Sequence, residues 1–429
     1  MTDQKLETLT IHAGCEPDPT TKARITPIYQ TASYVFDSPE HAANLFSLAE
    51  FGNIYSRIMN PTNDALEKKI AALEGGVGAL GVASGHAAQL IAFHTLMEPG
   101  CNIVAAKKLY GGSLNQLGES FRKFGWETRF VDADDASNVA AAIDDKTRCV
   151  FIESLANPGG AVSDIAAIAK VAHDAGVPLM VDNTMATPAL CRPFEHGADI
   201  VVHSCTKFLN GHGNAVGGLI VDSGKFDWKA HGDKYASLTQ PNGSYHGAVL
   251  VDALEPVGPV AFIIACRVLG LRDLGPAMAP MNAFLALTGM ETLALRMERH
   301  CSNALAVATW LKAHPAVAWV SYAGLDGDPY QPLAERYLGG KGGAVFTFGL
   351  KGGYEAGKQL VSSVELFSHL ANIGDTRSLI IHPASTTHSQ LSEEELVSAG
   401  AGPDVVRLSI GIEHVDDVNA DLDRALGAL

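Results

Sequence analysis

In the stretch ADIVVHSCTKFLNGHG, residues 198–213, an apolar β-branched run from Ile200 to Val202 gives way to Ser204, Thr206 and Lys207 ahead of a glycine-rich loop. A buried strand of a parallel sheet reads this way, and ligands of α/β folds dock beyond the carboxyl ends of such strands. Two hydroxyls within three residues of an amine suit a phosphorylated carbonyl compound. The hydroxyls take the phosphate, and the amine grips the carbonyl covalently. Pyridoxal 5'-phosphate carries both groups. On this stretch alone a solvated lysine in a surface loop remains the alternative.

Two further apolar runs end in the same manner: RCVFIE (148–153) leads to Asn157, and VPLMV (177–181) leads to Asp182 and Thr184. As one site the three tips make chemical sense. Lys207 forms a Schiff base with the aldehyde, Asp182 keeps a pyridine nitrogen protonated so that the ring draws electrons, and Asn157 donates to the ring's phenolic oxygen. Ser84-Gly85-His86 falls between a small-residue strand and an apolar helix, where helix-start N–H groups attract an anion. A plain serine cap explains the same residues. Neither a P-loop nor a dinucleotide fingerprint is present. Tyr110, beside Gly111 and Gly112, can lie against a flat ring or simply pack a turn. Tyr55 and Arg57 are two apart in YSRIMNPT; in extended chain they point the same way and can share one phosphate, or they are an ordinary turn.

The elements that must position these groups follow from periodicity. A helix is expected from Asp64 to Leu73 with its stop at Gly75-Gly76, a second from Ala87 to Leu96, and an amphipathic one from Asp164 to Asp174 ending at Gly176. Strands are expected at 102–106, 148–153, 177–181, 200–203 and 217–221. Strands alternating with helices imply a mostly parallel sheet. Residues 1–63 are rich in turn formers and read as an arm held by a partner subunit. Residues 64–270 form a large cofactor domain, and 271–429 a smaller C-terminal α/β domain.

Composition narrows the function classes. The 429-residue chain is 47% hydrophobic and 18% charged, enough for sizeable cores, and its formal net charge of -16 argues against nucleic-acid or anionic membrane surfaces. Seven scattered cysteines without a C-x-x-C pair read as reduced thiols. The polar N-terminus lacks a secretory pattern, and Val260 to Leu271 is too short to span a bilayer, so a cytoplasmic protein is expected. His86, His203, His212, His382 and His388 form no H-x-x-x-H with a third ligand, so no metal is expected.

YSRIMNPT, SGHAAQ, LYGGS, ANPGG, VDNTMATPALCRP, HSCTKFLNGHG, SLIIHPASTTH and VRLSIGIE stand in the order found in the Cys/Met-metabolism family of pyridoxal-phosphate enzymes. The resemblance covers nearly the whole chain. PNGSYHG (241–247), residues 282–300 and residues 373–391 resemble the O-acetylhomoserine sulfhydrylase branch of that family. The resemblance implies fold type I, with a seven-stranded-type sheet, and a homotetramer built as a dimer of dimers. It gives Tyr55 and Arg57 to the phosphate of the adjacent subunit's cofactor, and Arg407, Asn157 and Tyr55 to the substrate. Ser84, Gly85, His86, Tyr110, Asn157, Asp182, Thr184, Ser204, Thr206 and Lys207 hold the cofactor in this reading. The reaction implied is γ-replacement on O-acetylhomoserine with sulfide or methanethiol, Lys207 moving the proton and Tyr110 aiding departure of the leaving group. Cystathionine γ-synthase and methionine or cystathionine γ-lyase are the alternatives within the family. The segment DALEPVGP (252–259) departs from the family pattern and is expected to border the entrance of the site.

Overall fold

The computed structural model describes residues 4–387, 389, 394, 396 and 400–429. His388 lies outside the described residues.

Seven strands form the larger sheet: β1 (Gly78–Val82), β2 (Asn102–Ala106), β3 (Glu127–Val131), β4 (Thr147–Glu153), β5 (Leu179–Asp182), β6 (Ile200–Ser204) and β7 (Gly218–Asp222), in the order β1-β7-β6-β5-β4-β2-β3. From β6 to β3 all neighbours are parallel, whereas β7 runs antiparallel to both β6 and β1. The reversal has a local cause. The segment from β6 to β7 holds the Lys207 loop and no helix, so the chain lacks the crossover a parallel return needs. Every residue of β2 and β7 is buried, as expected of strands covered on both faces.

The helices arise where the capping chemistry lies. Asn60 caps the helix Pro61–Glu74 by accepting from Thr62 N, and Gly75 ends it at φ 79°, a conformation that needs no Cβ. Asp164 likewise caps the helix Ile165–Asp174. The helix Gly85–Leu96 packs on β6 and β7, and Pro61–Glu74 packs on β1.

A second sheet of five strands, β8 (Val317–Ser321), β9 (Val345–Leu350), β10 (Ser368–His369), β11 (Leu379–Ile381) and β12 (Val405–Ser409), has the order β10-β11-β12-β9-β8. Helices Leu293–Ala313 and Gly353–Ser363 pack on it, Val415–Leu426 packs on those two helices, and one apolar core runs through both sheets. The fold is α/β, with a mostly parallel seven-stranded sheet and a smaller second sheet.

Ahead of Pro61 the described chain is largely irregular, with two short helices, Leu6–His12 and Pro39–Phe46. The first rests on the helix Pro61–Glu74, whose Lys69 donates to the carbonyls of Thr10 and Ile11. Residues 252–259 do not border the cavity described below, contrary to the sequence expectation. Glu255, Gly258 and Pro259 sit beside Phe226 and Trp228, where Lys229 pairs with Asp252 and Glu255 at 2.9 Å each; Pro256, Gly258 and Pro259 turn the chain there. The seven cysteines are all free.

Candidate active site

Strand order decides which side chains meet. Because β4, β5 and β6 are neighbours, the tips that lead to Asn157, Asp182 and Lys207 open into one cavity of about 240 Å³. Its lining includes Ser84, Gly85, His86, Tyr110, Asn157, Asp182, Thr184, Ser204, Thr206, Lys207 and Arg407.

Asp182 is fixed from two sides: Oδ1 accepts from Thr184 N at 3.0 Å and Oδ2 from Gln89 Nε2 at 3.3 Å. Gln89 also donates to Ser113 Oγ at 3.0 Å, so its amide cannot swing away. Thr184 Oγ1 in turn accepts from Ser204 N at 2.8 Å, tying the β5 and β6 tips together. Thr206 is anchored to Gly217, whose N–H donates to Oγ1 at 3.1 Å. Lys207 Nζ donates to Asn372 Oδ1 at 2.6 Å. Burial pushes this amine down to about 8, with the like charge of Arg407 adding to the effect.

Arg407 projects from the second sheet, on β12 opposite Ile381 and Thr347. Its Nη1 donates to Asn157 Oδ1 and its Nη2 to the Asn372 carbonyl, both at 3.2 Å. Burial lowers this guanidinium to about 10, which leaves it charged at neutral pH and poorly hydrated. Asn157 and Asn372 thus brace the fork whose natural partner is a carboxylate.

Glu153, the last residue of β4, was not singled out from sequence. It is 4% exposed; its carboxylate accepts from Tyr110 N at 2.6 Å and Asn157 N at 3.0 Å, so it joins the two loops that flank the cavity. Burial and then the charge of Asp182 push its acidity down, raising the pKa. The strand-tip rule that found Asp182 points equally to Glu153. Asn372 and Gln89 were also missed; Asn372 lies on a loop of the second sheet with no local pattern to mark it.

Tyr110 is 48% exposed, and its ring lies 5.9 Å from that of His86 at an angle of 27°. Tyr55 and Arg57 do not join the cavity of their own chain. Arg57 donates to the Arg272 carbonyl in a separate surface recess with Asp273 and Gly275, and Tyr55 is 43% exposed. Among the described residues no cluster of three His, Cys, Asp or Glu side chains can hold a metal ion, and no helix is long and apolar enough to cross a membrane.

The residues present fit pyridoxal phosphate. Ser84 caps the helix Gly85–Leu96, its Oγ accepting from Ala87 N at 3.1 Å, so a helix start opens beside the hydroxyls of Ser204 and Thr206. A Cβ at Gly85 would come within 2.8 Å of Ser204 Cβ; only glycine lets the helix start approach the strand tip this closely. The amine, the carboxylate and this anion cradle match the aldehyde, the ring nitrogen and the phosphate.

Comparison with known proteins agrees with this donor set. A family described as Cys/Met metabolism PLP-dependent enzyme matches residues 7–427. The chain is 54% identical to O-acetyl-L-homoserine sulfhydrylase 1 of Thermus thermophilus, over 98% of this chain and 100% of that one. It is 53% identical to O-acetyl-L-homoserine sulfhydrylase of Leptospira meyeri, over 98% and 96%. A solved structure described as an O-acetylhomoserine (thiol)-lyase of Campylobacter jejuni, bearing N'-pyridoxyl-lysine-5'-monophosphate, superposes with a TM-score of 0.95 at 41% identity, over 99% of this chain and 100% of that one.

Proposed function

The chain belongs to the family of Cys/Met metabolism PLP-dependent enzymes, and from that premise we propose that it performs γ-replacement on O-acetyl-L-homoserine. The Cγ–O bond breaks and acetate leaves; sulfide or methanethiol bonds to Cγ, giving L-homocysteine or L-methionine. The observation that carries the proposal is the meeting of Lys207 and Arg407 on one residue, Asn372, in the cavity that Asp182 also lines. The relatives are named for sulfhydrylase activity, which favours this reading over cystathionine synthesis or γ-elimination.

Pyridoxal phosphate, when bound, supplies an aldehyde that takes an amine and a ring that stabilises negative charge on the adjoining carbon. Lys207 would hold the aldehyde and Asp182 the ring nitrogen. Ser84, Gly85, His86, Ser204 and Thr206 would hold the phosphate, with Asn157 at the phenolic oxygen and Tyr110 over the ring face. Arg407 grips the donor's α-carboxylate at two points, fixing which Cα bond is presented to Lys207. The Lys207 amine, poised at about 8, takes the Cα proton in its neutral form and returns one when protonated. Tyr110 assists departure of acetate from the open side of the cavity. The same reading takes residues 1–63 as an arm, 64–270 as the cofactor domain and 271–429 as the smaller domain of a cytoplasmic protein. Tyr55 and Arg57 complete the phosphate end of a neighbour's site, and Tyr55 also meets its substrate, in a dimer of dimers. Their exposure and their absence from their own chain's cavity support that arrangement.

The test is product analysis with O-acetyl-L-homoserine in the presence and absence of sulfide. Homocysteine and acetate in equal amounts, dependent on sulfide, are expected. Sulfide-independent release of a 2-oxo acid and ammonia as the main reaction would replace the proposal with γ-elimination.

A further inference from the structure

The chemistry above leaves a buried ionisable pair unused. Glu153, Asp182 and Ser204 line the cavity from the tips of β4, β5 and β6. Because side chains alternate along a strand, Ser154, Asn183 and His203 fall on the opposite face of the sheet. These three are linked side chain to side chain through Glu74, the last residue of the helix Pro61–Glu74. Ser154 Oγ donates to Asn183 Oδ1 at 2.7 Å, and Asn183 Nδ2 donates to Glu74 Oε1 and to the Cys191 carbonyl, both at 2.9 Å. His203 Nε2 meets the same Glu74 oxygen at 2.6 Å.

Stability alone is a poor reason for this arrangement. Glu74 and His203 are fully buried, with side-chain exposures of 0% each. Glu74 Oε2 and His203 Nδ1 have no hydrogen-bond partner among the described residues. A carboxylate at a helix C-terminus is disfavoured by the helix dipole, and apolar groups of similar volume would hold the sheet to the helix at lower cost. What the network does, and apolar packing does not, is fix directed distances between three strand tips.

The geometry points to Glu74 and His203 as positioning residues for the cofactor site. By tying β4, β5 and β6 from behind, they set the lateral spacing of Asp182 and Lys207, and so how well both reach one ring. The inference rests on the roles proposed for Asp182 and Lys207. It goes beyond them in giving the back of the sheet a part in the site's precision.

The test measures equilibrium binding of pyridoxal phosphate to the apoprotein, with the visible circular dichroism it induces, in wild type, His203→Leu, His203→Gln and Ser154→Ala. Thermal melting is recorded alongside. For His203→Leu we expect about tenfold weaker binding, altered induced dichroism and a similar fall in kcat with little change in KM, because small misplacements of catalytic groups are costly. His203→Gln, whose amide can keep a hydrogen bond to Glu74, should recover most of the loss. Ser154→Ala removes only the outer hydroxyl, which bonds Asn183 Oδ1 at 2.7 Å and more weakly the Asp182 carbonyl at 3.4 Å, so it carries the test should His203→Leu fail to fold; a smaller loss of affinity with the same change in dichroism is expected. Variants that melt earlier yet bind the cofactor with wild-type affinity, dichroism and kcat would overturn the inference. Binding does not depend on which donor or thiol the enzyme uses, so a failure of γ-replacement in the wild type would leave this result readable.

Discussion

Arg407→Lys isolates the geometry of the carboxylate recognition proposed for Arg407 from its charge. The arginine is braced at Nη1 by Asn157 Oδ1 and at Nη2 by the Asn372 carbonyl, each at 3.2 Å, which holds the plane of the fork. A lysine keeps the positive charge, and with it the effect on Lys207, but presents one ammonium in place of a planar pair of donors. The loss is therefore about one charge-assisted hydrogen bond, roughly 1.5–3 kcal/mol. At about 1.4 kcal/mol per decade that is a fall of roughly 10- to 150-fold in kcat/KM for the amino-acid donor. Steady-state kinetics with O-acetyl-L-homoserine varied at saturating sulfide, and the reverse, read it directly. The KM for sulfide and the cofactor's absorbance should stay as in wild type. A variant whose donor kcat/KM stays within about twofold of wild type would refute the assignment of Arg407 to the carboxylate.

Three further outcomes follow from other parts of the site. Lys207, pushed down to about 8 by burial and then by Arg407, accepts a proton only when neutral, so kcat should rise with pH through that region and level off above it. Arg407→Met removes the like charge and should move the rising limb of the pH–kcat profile to higher pH; an unmoved limb would disprove the coupling. Gly85→Ala brings a methyl within 2.8 Å of Ser204 Cβ, and the repacking, about 1–3 kcal/mol, should weaken pyridoxal phosphate binding about tenfold or more in a titration of the apoprotein. Wild-type affinity in that variant would remove Gly85 from the phosphate cradle. Arg267→Met strands the buried Glu67 carboxylate, whose Oε1 accepts from Gly81 N at 2.8 Å, and should cost about 3–5 kcal/mol of stability. Denaturant unfolding should show the double variant Glu67→Leu, Arg267→Met recovering much of that loss, and an equally unstable double variant would contradict the pairing.

Much of the cavity's lining around Asp182 and Lys207 was legible because its signals are local. Apolar runs ending in Asp182 and in Ser204 to Lys207, and the serine before Gly85, mark strand tips and a helix start wherever the strands fall in the sheet. Asn157, Asp182 and Lys207 then meet because β4, β5 and β6 are neighbours in the sheet, with β7 antiparallel to both its neighbours. The edge strand β3 escaped notice because Glu127 and Arg129 interrupt its apolar character, as suits a strand half open to solvent. Asn372 was illegible for a different reason. Its role comes from the second sheet bringing a loop against Lys207 and Arg407, a long-range contact that no sequence periodicity encodes. Glu153 stood in plain view at the end of RCVFIE, but a carboxylate at a strand end gains meaning only once Tyr110 N and Asn157 N are seen to converge on it.

The central claim is that the Lys207 amine moves the proton at Cα in a γ-replacement. The most direct measurement is the exchange of the Cα proton of L-homocysteine or L-methionine for deuterium in heavy water, followed by proton NMR, with wild type and Lys207→Ala both loaded with pyridoxal phosphate. The wild type should exchange that proton, and Lys207→Ala should lose the exchange by orders of magnitude while still binding the amino acid. Exchange by Lys207→Ala at the wild-type rate would place the base elsewhere and contradict the account.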